Sequence, residues 1–282
     1  MKLKHLFIAL LIVSCTAPKF QKERDAIEGD YAFYYKNLKT GETLNYQENE
    51  IFHAASTMKI PVMMQLFHMQ NTGEIRLQDS IKIYNTFQSI IDQSNYQLST
   101  DEDSDGELYN QIGKQTTYMG LIKPMIQNSS NLATNILIDV ANPQNTNAYI
   151  QTLGAQNTLV LRGVEDQKAF DLGKNNTTTA SDLAILMETL AKNQVPNSPE
   201  MIEILCKQEW NDLIPRFLPQ NLKIAHKTGA ITGVHHDAAI VYPPGKPPYI
   251  LVIMSKNLKD FDQGTIQLAE LAKAIHNYHI SK

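Results

Sequence analysis

The chain has 282 residues, 43% hydrophobic and 19% charged, with a formal net charge of -4. That length suits one large domain or two closely packed subdomains around a substantial core. The mild negative charge and the scattered lysines and arginines exclude the basic surface that nucleic acid needs, so no nucleic-acid partner is expected.

Lys2 and Lys4 precede a short apolar run at 6–13. A bilayer span takes about 20 apolar residues, so this run reads as a targeting segment. It ends in Ile12-Val13-Ser14-Cys15, which resembles a bacterial lipoprotein cleavage box. The expectation is a signal peptide over 1–14, with Cys15 as the lipidated N-terminus that anchors the protein to a membrane in the bacterial periplasm or cell envelope. Cys206 is then the one remaining cysteine, which precludes an intramolecular disulfide. Its apolar helical setting, Met201-Ile202-Glu203-Ile204-Leu205-Cys206, makes it a small buried hydrophobe.

Residues 30–46 read as a hairpin, because Tyr31, Phe33 and Tyr35 alternate with smaller or polar residues before a turn at Lys39-Thr40-Gly41-Glu42. The zone 56–207 is mostly helical, as in Ile136-Leu137-Ile138 with Val140 and Leu183-Ala184-Ile185-Leu186-Met187 with Leu190. Strand-rich stretches return at 222–228, 238–242 and 249–254. The last two are separated by Pro243-Pro244-Gly245-Lys246-Pro247-Pro248, which no helix crosses. A helix from about Gln263 closes the chain. The expected fold is α/β of the α+β type: an antiparallel five-stranded sheet built from both chain ends and flanked by helices, with an all-helical lobe beside it. The sheet lobe is placed at about 20–52 and 212–282, the helical lobe at about 53–211, and 15–282 forms one catalytic domain. The cleft between the lobes is the natural ligand site.

Ser56-Thr57-Met58-Lys59 opens an apolar helix, with Lys59 on the same face as Ser56. A serine hydroxyl needs a base within hydrogen-bond reach, and a lysine serves if burial or a neighbouring cation lowers its pKa. The N–H groups of a helix start favour a developing oxyanion. Pro61 predicts an irregular opening to this helix. Alone, a serine and lysine so spaced occur by chance. Ser129-Ser130-Asn131 and Lys227-Thr228-Gly229 follow, the latter at a strand end. Lys227 would supply a fixed positive charge, Thr228 a hydroxyl, and Gly229 room for a substrate to approach the backbone.

In this order the three elements match the motif set S-x-x-K, S-D-N and K-T-G of penicillin-recognising serine enzymes. From Ser56 to the last helix the chain resembles a class A serine β-lactamase or a class-A-like relative. Asn135 four residues after Asn131, and Thr177-Thr178-Thr179 before a helix, extend the resemblance. It implies that Ser56 attacks the lactam carbonyl and Lys59 takes or relays its proton. The N–H groups of Ser56 and Ala230 would form the oxyanion hole. Ser129, assisted by Lys227, would protonate the leaving nitrogen. Asn131 would bind the substrate's amide side chain, and Thr228 and Lys227 its carboxylate. Leu161-Arg162-Gly163-Val164-Glu165-Asp166 resembles the start of the loop that carries the deacylating base, which makes Glu165 the candidate. No cofactor and no metal is implied, and the partners are a β-lactam or cell-wall peptide and, through Cys15, a membrane. The protein is expected to be a monomer.

Three departures stand out. The middle motif has Ser130 where the family has Asp. The position four residues after Glu165, where the family's Asn helps hold the hydrolytic water, is Ala169, and the loop to Thr177 looks short. The strand after Lys227-Thr228-Gly229 lacks an arginine, which leaves His235, His236 or Arg216 as candidate carboxylate anchors. The acidic run Asp101-Glu102-Asp103-Ser104-Asp105-Gly106 imitates a calcium loop but has Ile112 where a bidentate Glu is required, so it is read as a solvated loop at the cleft rim. The reading preferred on these grounds is β-lactam hydrolysis through an acyl-enzyme on Ser56. A penicillin-binding D,D-peptidase or esterase with slow deacylation, and a non-catalytic cell-wall or β-lactam sensor, are the alternatives.

Overall fold

The computed structural model describes residues 19–282, so the candidate signal peptide and Cys15 lie outside the described residues. The N-terminal hairpin comprises β1 (Asp30–Asn37) and β2 (Thr43–Tyr46). The C-terminal part supplies β3 (Lys223–Ile231), β4 (Val234–Tyr242) and β5 (Tyr249–Lys256). Their order is β2-β1-β5-β4-β3, every neighbouring pair antiparallel, so β1 and β5 join the two chain ends at the centre of the sheet.

Alternation along β1 sorts its side chains to two faces. Tyr31, Phe33 and Tyr35 meet Leu251, Ile253 and the closing helix through Leu268, Leu271 and Ile275. Ala32, on the other face, joins Ile250, Val252 and Met254 in the larger core beneath the helical lobe. With helices on both faces, β4 and β5 are buried nearly throughout, which explains their unbroken apolar stretches.

β4 begins at Val234, four residues before the strand expected from sequence. Its first residues include His235, His236 and Asp237, polar groups that argue against a buried strand unless each finds a partner. Each does: His235 Nδ1 meets Thr265 Oγ1 at 2.8 Å, His236 Nε2 meets the His53 carbonyl at 2.8 Å, and Asp237 takes His226 Nδ1 at 3.0 Å and the Ile214 N–H at 3.1 Å.

At the centre of the helical lobe is α1 (Lys59–Thr72), whose residues from Lys59 to Phe67 are all buried. A helix apolar on every side belongs inside a core. Around it stand α2 (Tyr118–Gln127), α3 (Asn131–Ala141) and α4 (Pro143–Thr152). α5 (Ala180–Ala191), capped by Thr179 Oγ1 on the Asp182 N–H, packs under β1, β4 and β5. α6 (Ser198–Leu205) follows, and α7 (Phe261–Ser281) covers the far face of the sheet. Cys206 caps α6 half-buried, where burial raises its thiol pKa to about 11.

Candidate active site

The irregular start that Pro61 implies is a 3-10 turn, Ala55–Met58, ahead of α1. Ser56 sits on this turn, which packs against β3. Ser129 occupies the bend between α2 and α3, while Lys227 and Thr228 lie on β3. Two adjoining clefts of about 490 and 330 Å³ meet at Ser56, Asn131 and Ala230. Glu165 lines the first; Ser129, Thr228 and Gly229 line the second.

Lys59 and Lys227 are both 0% exposed, and they converge on one hydroxyl. Lys59 Nζ donates to Ser129 O at 2.7 Å, Ser129 Oγ at 3.1 Å and Asn131 Oδ1 at 3.1 Å. Lys227 Nζ donates to the same Ser129 Oγ at 3.0 Å and to Thr228 O at 2.9 Å. Burial brings the Lys59 pKa from 10.5 down to about 7, against the opposing pull of the Asp103 and Glu165 carboxylates. Lys227 falls well below its ordinary value through burial first and the neighbouring Lys59 second. Two amines sharing a dry site disfavour each other's ionisation, and the Asp237 carboxylate opposes that trend at Lys227.

Glu165 reaches the same group through one intermediary. Asn131 Nδ2 donates to Glu165 Oε1 at 3.2 Å while its Oδ1 accepts from Lys59, so one amide ties the two candidate bases together. Ser99 N–H approaches Glu165 Oε2 at 3.4 Å. Burial raises the Glu165 pKa, with the hydrogen bonds from Ser99 and Asn131 opposing. Backbone strain collects here too. Ala55, Ser129 and Glu165 have φ of 44°, 64° and 62°, left-handed values that non-glycine residues hold only when their surroundings enforce them.

The loop carrying Glu165 is closed by its own polar residues. Arg162 donates to Lys174 O, Gly163 O and Asn175 Oδ1, each at 2.9 Å. The Asn176 amide takes the Leu161 and Arg162 N–H groups and returns a bond to Arg162 O. Asn135, singled out only as part of a pattern, holds Val164 by both N–H (2.6 Å) and C=O (2.9 Å). Its spacing from Asn131, one helical turn on the same face, was the available signal. Ala169 lies fully buried in the short helix Gln167–Asp171, and Phe170 beside it is exposed to the cleft.

Gly229 has a further reason beside the one sequence suggests. A Cβ there would stand 2.8 Å from Ser56 N and 2.9 Å from Thr57 N. The missing side chain lets β3 press against the nucleophile's own backbone, so the residue shapes the turn before any substrate arrives. None of the three candidate anchors supplies a cation beside Ser56 at neutral pH. His236 is 0% exposed and burial takes its pKa to about 4. His235 is also pushed down by burial. Arg216 lines a separate cleft with Cys206, Pro219 and Lys223.

A model of the β-lactamase enzyme family matches residues 17–279. β-Lactamase 1 of Bacillus cereus is 26% identical over 271 residues, covering 91% of this chain and 80% of its own. Among solved structures, the β-lactamase of Sphaerobacter thermophilus aligns with a TM-score of 0.78 at 23% identity, over 94% of this chain and 99% of its own. PBP-A aligns at 0.79 with 25% identity, over 93% and 96%. With the family model spanning nearly the whole chain and a sheet, motif order and buried lysine pair of this kind, the chain belongs to the β-lactamase enzyme family, as a class A serine β-lactamase-like protein.

Proposed function

We propose that the protein hydrolyses β-lactams through an acyl-enzyme on Ser56. The observation that carries this reading is Ser129 Oγ held between Lys59 Nζ and Lys227 Nζ beside the Ser56 cleft, with Glu165 linked through Asn131. Burial that lowers the Lys59 pKa to about 7 makes a neutral amine accessible at neutral pH. That amine takes the Ser56 hydroxyl proton as Oγ attacks the lactam carbonyl carbon. The N–H groups of Ser56 and Ala230 receive the developing oxyanion. As the C–N bond breaks, Ser129 gives its proton to the lactam nitrogen and is reprotonated from the lysine pair. Glu165 then takes a proton from water attacking the ester carbonyl carbon, and as the C–O bond to Ser56 breaks that proton is returned to Oγ, restoring the hydroxyl and the Glu165 carboxylate. Lys227 and Thr228 bind the substrate carboxylate, and Asn131 its amide side chain.

A second reading keeps the acylation and slows the release. It is favoured by Ala169, which offers no polar side chain to hold a water. A solved single-residue variant of PBP-A is described as an acyl-enzyme complex with penicillin G. On this reading the protein is a penicillin-binding peptidase or esterase. Hydrolysis of a chromogenic cephalosporin separates the two: many turnovers per enzyme, lost in Ser56→Ala, support the hydrolase, and a single stoichiometric burst supports the slow relative. No reaction at all sinks both.

The proposed setting is the cell envelope, with residues 1–14 removed as a signal peptide, Cys15 lipidated and the mature domain monomeric. Supporting it is the charge-then-apolar order ending at Cys15. Metabolic labelling with a fatty-acid probe, lost in Cys15→Ser, tests the anchor.

A further inference from the structure

The acidic run at 101–106 does not simply dissolve into solvent at the rim. Asp103 turns its carboxylate inward onto the start of α3. It accepts the Asn131 N–H at 2.9 and 3.0 Å through its two oxygens, the Leu132 N–H at 2.8 Å, and the Tyr109 hydroxyl at 3.0 Å. The Asp105 N–H closes on the same carboxylate at 3.1 Å. These contacts commit both oxygens to the segment whose motif lacks an acid, since Ser130 stands at the middle position. Ser130 caps α3 with its hydroxyl on the Ala133 N–H, a neutral cap that leaves the Asn131 and Leu132 N–H groups to another acceptor.

We propose that Asp103 is a positioning residue for acylation: it supplies from the rim loop the carboxylate missing from Ser129-Ser130-Asn131, and so fixes Asn131 and the left-handed Ser129 against Lys59. The proposal rests on the Ser56 reading above. Its physical content is twofold. Ionised acceptors on two backbone N–H groups at a helix start are stronger than neutral ones and match the local dipole. They anchor the segment just after a strained residue: Ser129 holds φ 64° while its hydroxyl bridges both lysines. Asp103 also acts at a distance on the groups that move protons. Its charge favours the ammonium form of Lys59 and the protonated form of Glu165. The other charged groups facing Lys59 are Glu165 and Lys227; Asp105, Tyr109 and Glu102 surround Asp103 or Glu165.

The decisive variant is Asp103→Asn, which keeps the side-chain shape and one acceptor oxygen while removing the charge and the second acceptor. Losing an anion lowers the pKa of both Lys59 and Glu165, so the acid limb of the acylation rate moves to lower pH whichever of them is the base. The expected move is about half a unit, a fraction of what a contact pair gives. The limiting acylation rate falls about tenfold as Asn131 loosens. Asp101→Asn, which makes the same change of net charge in an exposed part of the same run, leaves both unmoved. The Lys59 titration is also followed by NMR of lysine-labelled protein, with its resonance assigned by Lys59→Arg, which needs no substrate. A limb and a Lys59 titration that stay in place in Asp103→Asn overturn the proposal, even if the rate drops, because a purely structural cap lowers rate without moving pKa. Absence of any acylation in the parent protein overturns the Ser56 reading instead, and the Lys59 titration still reports on Asp103.

Discussion

Adding one methyl group at Gly229 tests how the nucleophile is held. In Gly229→Ala the new carbon would sit 2.8 Å from Ser56 N and 2.9 Å from Thr57 N, where ordinary contacts begin at 3.4 Å. The deficit is about 0.6 Å, and both obstructing atoms are main chain, so no rotamer change relieves it. Either β3 or the turn Ala55–Met58 retreats. Overpacking of this kind costs about 1–3 kcal/mol, which in a domain of this size lowers Tm by about 3–10 °C. A 1 Å misplacement of reacting groups costs about 100-fold, so about 0.6 Å places the loss in kcat/KM at about tenfold or more. The assays are calorimetric Tm and steady-state kinetics with a chromogenic cephalosporin. Loss of kcat with lowered Tm is the expected pair. A raised KM with kcat and Tm intact would instead mean that Gly229 serves substrate approach, and parent values throughout would refute the packing argument.

The pH profile follows from Lys59. General-base action needs the neutral amine, so acylation rises as pH climbs through about 7 and falls about tenfold per unit well below it. Pre-steady-state acylation rates across the range from mildly acidic to strongly alkaline pH check this, and a limb at the ordinary lysine value of 10.5 would contradict the lowered Lys59 pKa. Arg162→Ala deletes three hydrogen bonds that close the Glu165 loop. Deacylation should slow by at least about tenfold while acylation changes less, because Ser56, Lys59 and Ser129 sit on other segments. Stopped-flow separation of the two steps reads it, and equal slowing of both contradicts it. Substrate KM should show no limb from His236 between pH 5.5 and 8, since its pKa lies at about 4. A KM that rises across that range and flattens in His236→Gln would restore it as an anchor.

The reactive side chains were legible because each lies in a local motif. Ser56 lies on the turn that leads directly into the helix starting at Lys59, Ser129 and Asn131 flank one helix start, and Lys227 to Ala230 run along one strand. The antiparallel sheet was legible from alternation in β1 and the proline turn before β5. What stayed hidden depends on long-range partners. Asp103 meets Asn131 from 28 residues earlier in the chain, and nothing in an acidic run distinguishes an inward carboxylate from a solvated one. The polar start of β4 reads as loop until Thr265, His53 and Ile214 supply its hydrogen bonds. Histidine near a cleft suggests an anchor, but burial of His236 decides its charge, and burial is not written in the local sequence.

Intact-mass spectra over time with penicillin test the central claim most directly, comparing the mature domain with Ser56→Ala and Glu165→Gln. The account predicts a transient adduct in the parent protein, none in Ser56→Ala, and an adduct in Glu165→Gln that forms at nearly the parent rate but persists at least about tenfold longer. Peptide mapping should place the added mass on Ser56. Adduct formation that survives Ser56→Ala, or a lifetime unchanged in Glu165→Gln, would contradict the account.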